Sequence, residues 1–172
     1  MFDRDILLKP YRFNLYYAQD LVADLADAKL YETPAPGLEN HPGWTLGHLA
    51  TGSAMIAEDL GEASPLPDSW VEMFQRRGPG DPRLPDCVGD DLPTKAELLA
   101  ELEAKHQQVE RLIQTVDDAK FAERCEWRFE RFFPTTYDMV LFMCVTHEAM
   151  HLAQVAAWRR AFKLPSSLGR IR

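Results

Sequence analysis

Two imidazoles stand four residues apart in the segment Thr146-His147-Glu148-Ala149-Met150-His151. In a helix that spacing puts both rings on one face, a turn apart, so that one rigid element offers two ligands to a single metal ion. The same residues match the H-E-x-x-H pattern of zinc peptidases, in which the glutamate activates a metal-bound water. Those peptidases usually take a third ligand from farther along, yet after His151 the chain holds no further His, Cys, Asp or Glu. A third protein ligand must therefore come from upstream, from His41, His48 or His106. His48 is the best placed: Thr45 reads as the N-cap of a helix running toward Leu60, which puts His48 in its first turn. There the positive end of the helix dipole disfavours imidazolium and keeps the ring neutral and able to coordinate. The alternative is a partly solvated histidine of a capping turn.

Other residues near these carry two readings each. Glu148 is a candidate catalytic base or an acceptor for an imidazole N–H, or else a solvated helix residue. His106 lies on an apolar stripe and is either a fourth ligand or a hydrogen-bonded core histidine. Cys144, one turn before His147, is either a ligand for a soft metal or a buried, inert thiol. Arg159, Arg160, Lys163, Arg170 and Arg172 follow the histidine pair with no acidic residue among them. They complement the C-terminal end of the last helix, or Arg159 and Arg160 bind the carboxylates of an anionic substrate or thiol cofactor.

Four helical patterns must position these groups. Residues 6–29 carry Leu8, Tyr11, Leu15, Ala18, Val22 and Leu25 in steps of three and four. The second pattern spans 46–60, where Gly47, Gly52 and Ser53 leave one side thin enough for close approach of a neighbour. Thr94-Lys95-Ala96-Glu97 reads as a capping box opening the third, striped by Leu99, Leu102, His106, Val109, Ile113 and Val116. The fourth begins at Thr135 or Thr136 and runs to Phe162, with Val140, Cys144, His147, His151, Val155 and Trp158 on one face. Between the second and third lies the connection 61–93, which holds half of the twelve prolines and is too long for a minimal turn. A crossover is predicted there, with a short helical turn at 69–74 whose Trp70 and Phe74 cover one end of a bundle. The connection 117–134 is predicted to include a short extended piece at 125–130.

The whole chain of 172 residues fits one domain able to bury a full core. Three scattered cysteines, Cys87, Cys125 and Cys144, argue for a reducing compartment rather than a disulfide scaffold. No secretory signal or membrane-length apolar run is visible, which predicts a cytoplasmic protein. A net charge of −8 speaks against a nucleic-acid partner. Three neutral histidines leave open positions on an ion for water or substrate, whereas structural zinc sites are closed by four protein ligands. Imidazole suits zinc and nickel, the expected metals, and also iron.

The segments HPGWTLGHLA, DSWVEMFQRRGPGDP and THEAMHLAQVAAWRRAFKLP, in that order between residues 41 and 165, together resemble the DinB/YfiT-like superfamily of metalloenzymes, which is unrelated to the lesion-bypass polymerase of similar name. The resemblance implies an all-α four-helix bundle with a long crossover between its second and third helices. It also implies a three-histidine metal site, one ligand from the second helix and an H-x-x-x-H pair from the fourth, matched here at His48, His147 and His151. Gln154 fits the superfamily's glutamine three residues past the last ligand, and Glu148 is not part of its triad. Members of known activity include thiol-dependent transferases and isomerases, and dimers are frequent among them. Three functions are therefore expected of this chain. The first is a metal enzyme using a low-molecular-weight thiol on a small-molecule substrate, as a homodimer. The second is a metal hydrolase with Glu148 as base. The third is a non-catalytic stress-response or binding module.

Overall fold

The computed structural model describes residues 2–75 and 91–171, and within them the chain is all-helical. Four long helical stretches carry it: α1 (Arg4–Val22), α2 (Pro42–Asp59), α4 (Lys95–Thr115), and a continuous stretch made of α6 (Thr136–Leu141), a π-helical turn (Phe142–His147) and α7 (Glu148–Ala161). The short helices α3 (Trp70–Phe74) and α5 (Asp118–Ala122) lie in the connections. Helix α1 packs on α4 and α7, and α2 does the same, the pairing a four-helix bundle requires. Residues 76–90, with Cys87 and much of the expected crossover, lie outside the described residues.

Local chemistry explains most of the helix limits. The Thr94 side chain accepts from the Glu97 N–H while Glu97 accepts from the Thr94 N–H, the reciprocal cap read from the sequence. Thr135 and Asp138 repeat that arrangement at the start of α6. Helix α1 stops at Val22, short of the predicted residue 29, because neighbours capture its last carbonyls. Arg170 takes Asp20 O, Arg159 takes Leu21 O, and Lys95 reaches Leu25 O. A 3-10 turn at Asp27–Tyr31 follows. No sequence pattern announces an end imposed by side chains seventy or more residues away.

Helix α2 starts at Pro42, four residues before the predicted start, and its N-cap is His41 rather than Thr45. Proline at the first helical position needs no N–H partner and brings its own helical φ. The His41 Nδ1 accepts from the Trp44 N–H at 3.1 Å. Burial holds the His41 pKa down to about 4, against an opposing pull from backbone around Leu30. Above pH 6.5 the ring is neutral whether the chain is folded or unfolded. Below it the unfolded chain takes a proton that the folded one refuses until about pH 4. The fall from 6.5 to about 4 therefore removes roughly 3 kcal/mol of stability across that window. His147 carries the same depression. His41→Asn keeps a capping acceptor, so urea denaturation of the metal-free variant should show about half the wild-type loss between pH 6.5 and 4. An unchanged loss would contradict this.

The short helix α3 forms as read, and Gly47 accounts for where it docks. A Cβ built on Gly47 would lie 2.4 Å from the Phe74 ring, so only glycine lets that ring settle on α2. Phe74 is fully buried, edge to face with Trp70 at 5.1 Å. The segment 125–130, by contrast, forms no strand. Pairing there is limited to one bridge, Arg124 with Thr135, and the Trp127 indole donates to Phe133 O at 2.7 Å, folding the segment on itself.

The core divides into two apolar clusters along the helices. One gathers Leu30, Trp44, Leu49, Phe74, Leu102 and Trp158; the other gathers Leu8, Ile56, Val109, Phe121 and Val140. Each long stretch also contributes a buried polar side chain to one connected level, Ser53 on α2 and His106 on α4 meeting Tyr11, and His106 and Asn14 on α1 meeting Glu148 on α7. The stretch Thr136–Ala161 is long and apolar enough to cross a membrane by length and composition, contrary to the sequence expectation. Here it carries Glu148 in that polar level and buries Leu152, Val155 and Trp158 against the other helices, while 33% of its most apolar window is buried.

Candidate metal centre

His48 comes from the second turn of α2, His147 from the last residue of the π-helical turn, and His151 from the first turn of α7. The structure brings all three together. Their ligand atoms lie within 4.8 Å of one another, with ring centroids 4.6–5.2 Å apart. The His48 Nε2 stands 3.3 Å from the His147 Nε2. Two ligands each about 2.0–2.1 Å from a tetrahedral ion are about 3.3–3.4 Å apart, so the pair already spans one edge of such a site.

Two features prepare the rings for coordination. The His48 Nδ1 lies 2.9 Å from Phe74 O, a contact that fixes the proton on Nδ1 and leaves the Nε2 lone pair facing His147. Helix α3 is thus tied to the site through a backbone carbonyl, a contribution no side-chain pattern could disclose. Burial holds the His147 pKa down to about 4, so this ring is neutral at physiological pH. The neutrality predicted for His48 from the dipole of its own helix loses its premise, because α2 begins at Pro42 and His48 is past the first turn. Trp44 forms a wall: its ring stacks on His48 at 4.5 Å and 12°, and lies 5.7 Å from His151.

The remaining sequence candidates sit elsewhere. His106 is not beside the triad; its Nε2 is 2.8 Å from Glu148 Oε1, and both residues are under 5% exposed. Glu148 therefore faces the core, bonded to His106, and is not a solvated residue. Burial raises its pKa, while His106 and Asn14 pull the other way. Cys144 is fully buried, and burial together with the Glu148 charge pushes its thiol far up, which matches the inert reading and not a thiolate ligand.

Arg159, expected to hold a cofactor carboxylate, is 2% exposed and holds the chain's own. Its two terminal nitrogens bond Asp24 at 2.6 and 2.8 Å and also reach Leu21 O and Pro165 O. The Arg159 fork is the main reason the Asp24 carboxyl is held below the usual range. Arg160 is exposed and nine residues past His151, half a turn round the helix and roughly 14 Å along it. Gln154 accepts from Asn40 at 2.9 Å.

Sequence reasoning named His41 only as a candidate ligand and not as the cap of α2, and it missed Asn14. His41 was signalled by the proline that follows it, and Asn14 by being polar between Tyr11 and Ala18 on a stripe that is otherwise buried and apolar.

A bundle with three imidazoles converging from its second and fourth long helices is a helical protein with side chains placed to hold a metal ion. A family model of the DinB superfamily matches residues 12–155, and the chain belongs to that superfamily. Among solved structures it is similar to a conserved protein from Enterococcus faecalis, at 17% identity over 94% of this chain and 97% of the other, with a TM-score of 0.71. That likeness is one of fold. No curated protein matches the chain.

Proposed function

We propose that the protein is a metal-dependent enzyme that holds a divalent ion, zinc or nickel, on His48, His147 and His151 and acts with a low-molecular-weight thiol as an S-transferase or isomerase. The observation that carries the metal reading is the 3.3 Å edge between the His48 and His147 Nε2 atoms, with His151 close by. The donor set fits, because three imidazoles with no fourth protein ligand beside them, among the described residues, leave positions for an exogenous group. Such an ion supplies a lowered pKa to a coordinated thiol. The chain's own residues do the rest. Phe74 O orients His48, burial keeps His147 neutral, and the Trp44 ring walls the site. The placement of Glu148 against His106 does not favour the hydrolase reading, in which that carboxylate would face a metal-bound water.

The test supplies metal-loaded protein with glutathione, bacillithiol or mycothiol and a panel of electrophiles. Thiol-dependent turnover should disappear in His151→Ala and persist in Glu148→Gln. Hydrolysis that needs no thiol and is lost in Glu148→Gln would replace this reading with the hydrolase. Absence of turnover with every electrophile would favour a binding module.

A further inference from the structure

We infer that Asn14 is a positioning residue for the metal centre: by bonding the carbonyls of the π-helical turn, it sets the direction in which His147 presents its ring. The inference rests on the metal reading above and concerns a residue on a helix that supplies no ligand. Asn14 is buried on α1, and its Nδ2 donates to Cys144 O at 3.0 Å and to Val145 O at 3.3 Å. Those are the second and third residues before His147.

The turn needs such a donor. In an α-helix the Glu148 N–H would bond Cys144 O, four residues back. Here it bonds Val145 O instead, so that regular bond to Cys144 O is missing. A buried carbonyl left without a donor costs about 1–3 kcal/mol, so a group that donates here from a neighbouring helix stabilises the π-helical turn. Asn14 is that group, and one amide serves two adjacent carbonyls.

The turn also separates two demands made on one helix. Upstream, Met139, Val140 and Cys144 belong to an apolar cluster. Downstream, Glu148 must meet His106 in the core while His147 and His151 meet His48. A wider turn at 142–147 changes the angle between these sets of side chains, which an unbroken α-helix would hold at 100° per residue. Relaxation of Phe142–His147 toward α-helix would rotate His147 relative to Val140 and Cys144, and the apolar set would resist. The ring of His147 would then leave the 3.3 Å edge it shares with His48.

The experiment is zinc affinity by competition with a chromophoric chelator, alongside the visible spectrum of the cobalt-loaded protein and urea denaturation of the metal-free form. Asn14→Leu keeps nearly the same volume without a donor, and Asn14→Ala removes both. Each should weaken zinc binding by about 10–100-fold, the range for groups that orient a ligand from behind, and alter the cobalt spectrum. A merely structural Asn14 would lower the urea midpoint while leaving zinc affinity and the cobalt spectrum of the folded variant as in wild type; that result overturns the inference alone. Failure of wild type to bind zinc overturns the metal reading and this inference with it. Independent of any variant, the Asn14 side-chain NH2 resonances of the wild-type protein should shift on addition of zinc. Resonances that stay in place while zinc binds would again overturn the inference.

Discussion

Replacing His48, His147 or His151 with alanine is expected to lower zinc affinity by more than ~100-fold in each case, beyond the roughly 10–100-fold that loss of an orienting group costs. Each ring supplies one of the three nitrogens that converge among the described residues, so two imidazoles cannot hold the ion as three do. The loss should fall on binding and not on folding. All three rings are only partly buried, and none is part of the apolar clusters that hold the bundle together. Inductively coupled plasma analysis of protein purified without a metal-affinity column would give the stoichiometry, and chelator competition the affinity. Unchanged stoichiometry in all three single variants would remove the metal centre. His106→Leu is the contrasting case: its ring is bonded to Glu148, so zinc stoichiometry should remain that of wild type in whatever fraction stays folded.

The parts of this molecule legible in the sequence are those whose cause is local. The capping box at Thr94 and Glu97, the start of α6 at Thr136 and the short helix at Trp70–Phe74 are settled by residues within a turn of each other. The His147 and His151 pair was legible for the same reason, and His48 followed from the want of any downstream ligand. Features imposed from a distance were not. Helix α1 ends where Arg159 and Arg170 take its last carbonyls and Lys95 takes Leu25 O just beyond, and the π-helical turn lies where Asn14 donates to Cys144 O.

The partners of the charged candidates were hidden for a related reason. Arg159 read as a free cation because the sequence gives no sign that Asp24 lies opposite it. Glu148 read as a catalytic base because the H-E-x-x-H pattern fixes spacing along the chain and not which side of the helix the core occupies. With His147 and His151 turned to the candidate site and Glu148 turned to His106, one short segment serves both the histidine cluster and the bundle interior.

That division predicts the second large effect, on stability. His106→Leu should destabilise the protein by about 3–5 kcal/mol, because it leaves the Glu148 carboxylate, 3% exposed, without its partner. Glu148→Gln should cost much less, since a neutral amide still offers the His106 ring an oxygen acceptor at the same place. The difference depends on pH with a definite sign. Burial already raises the Glu148 pKa above its usual value, and His106 is the first of the groups that oppose the rise. Its removal raises the folded-state pKa further, so the folded variant binds a proton that the unfolded chain releases above about pH 4.5. The groups facing the carboxylate from other elements, Tyr11 and Asn14 on α1, and Cys144 from the π-helical turn, carry no positive charge to offset the carboxylate. The variant's deficit relative to wild type should therefore be largest near pH 8 and shrink as the pH falls to 4.5 and below, where a protonated Glu148 becomes neutral in both folded and unfolded chains. Urea denaturation of metal-free protein across that range measures it directly. A deficit independent of pH would mean that the lost packing of the imidazole against Tyr11, stacked on it at 3.9 Å, outweighs the stranded charge.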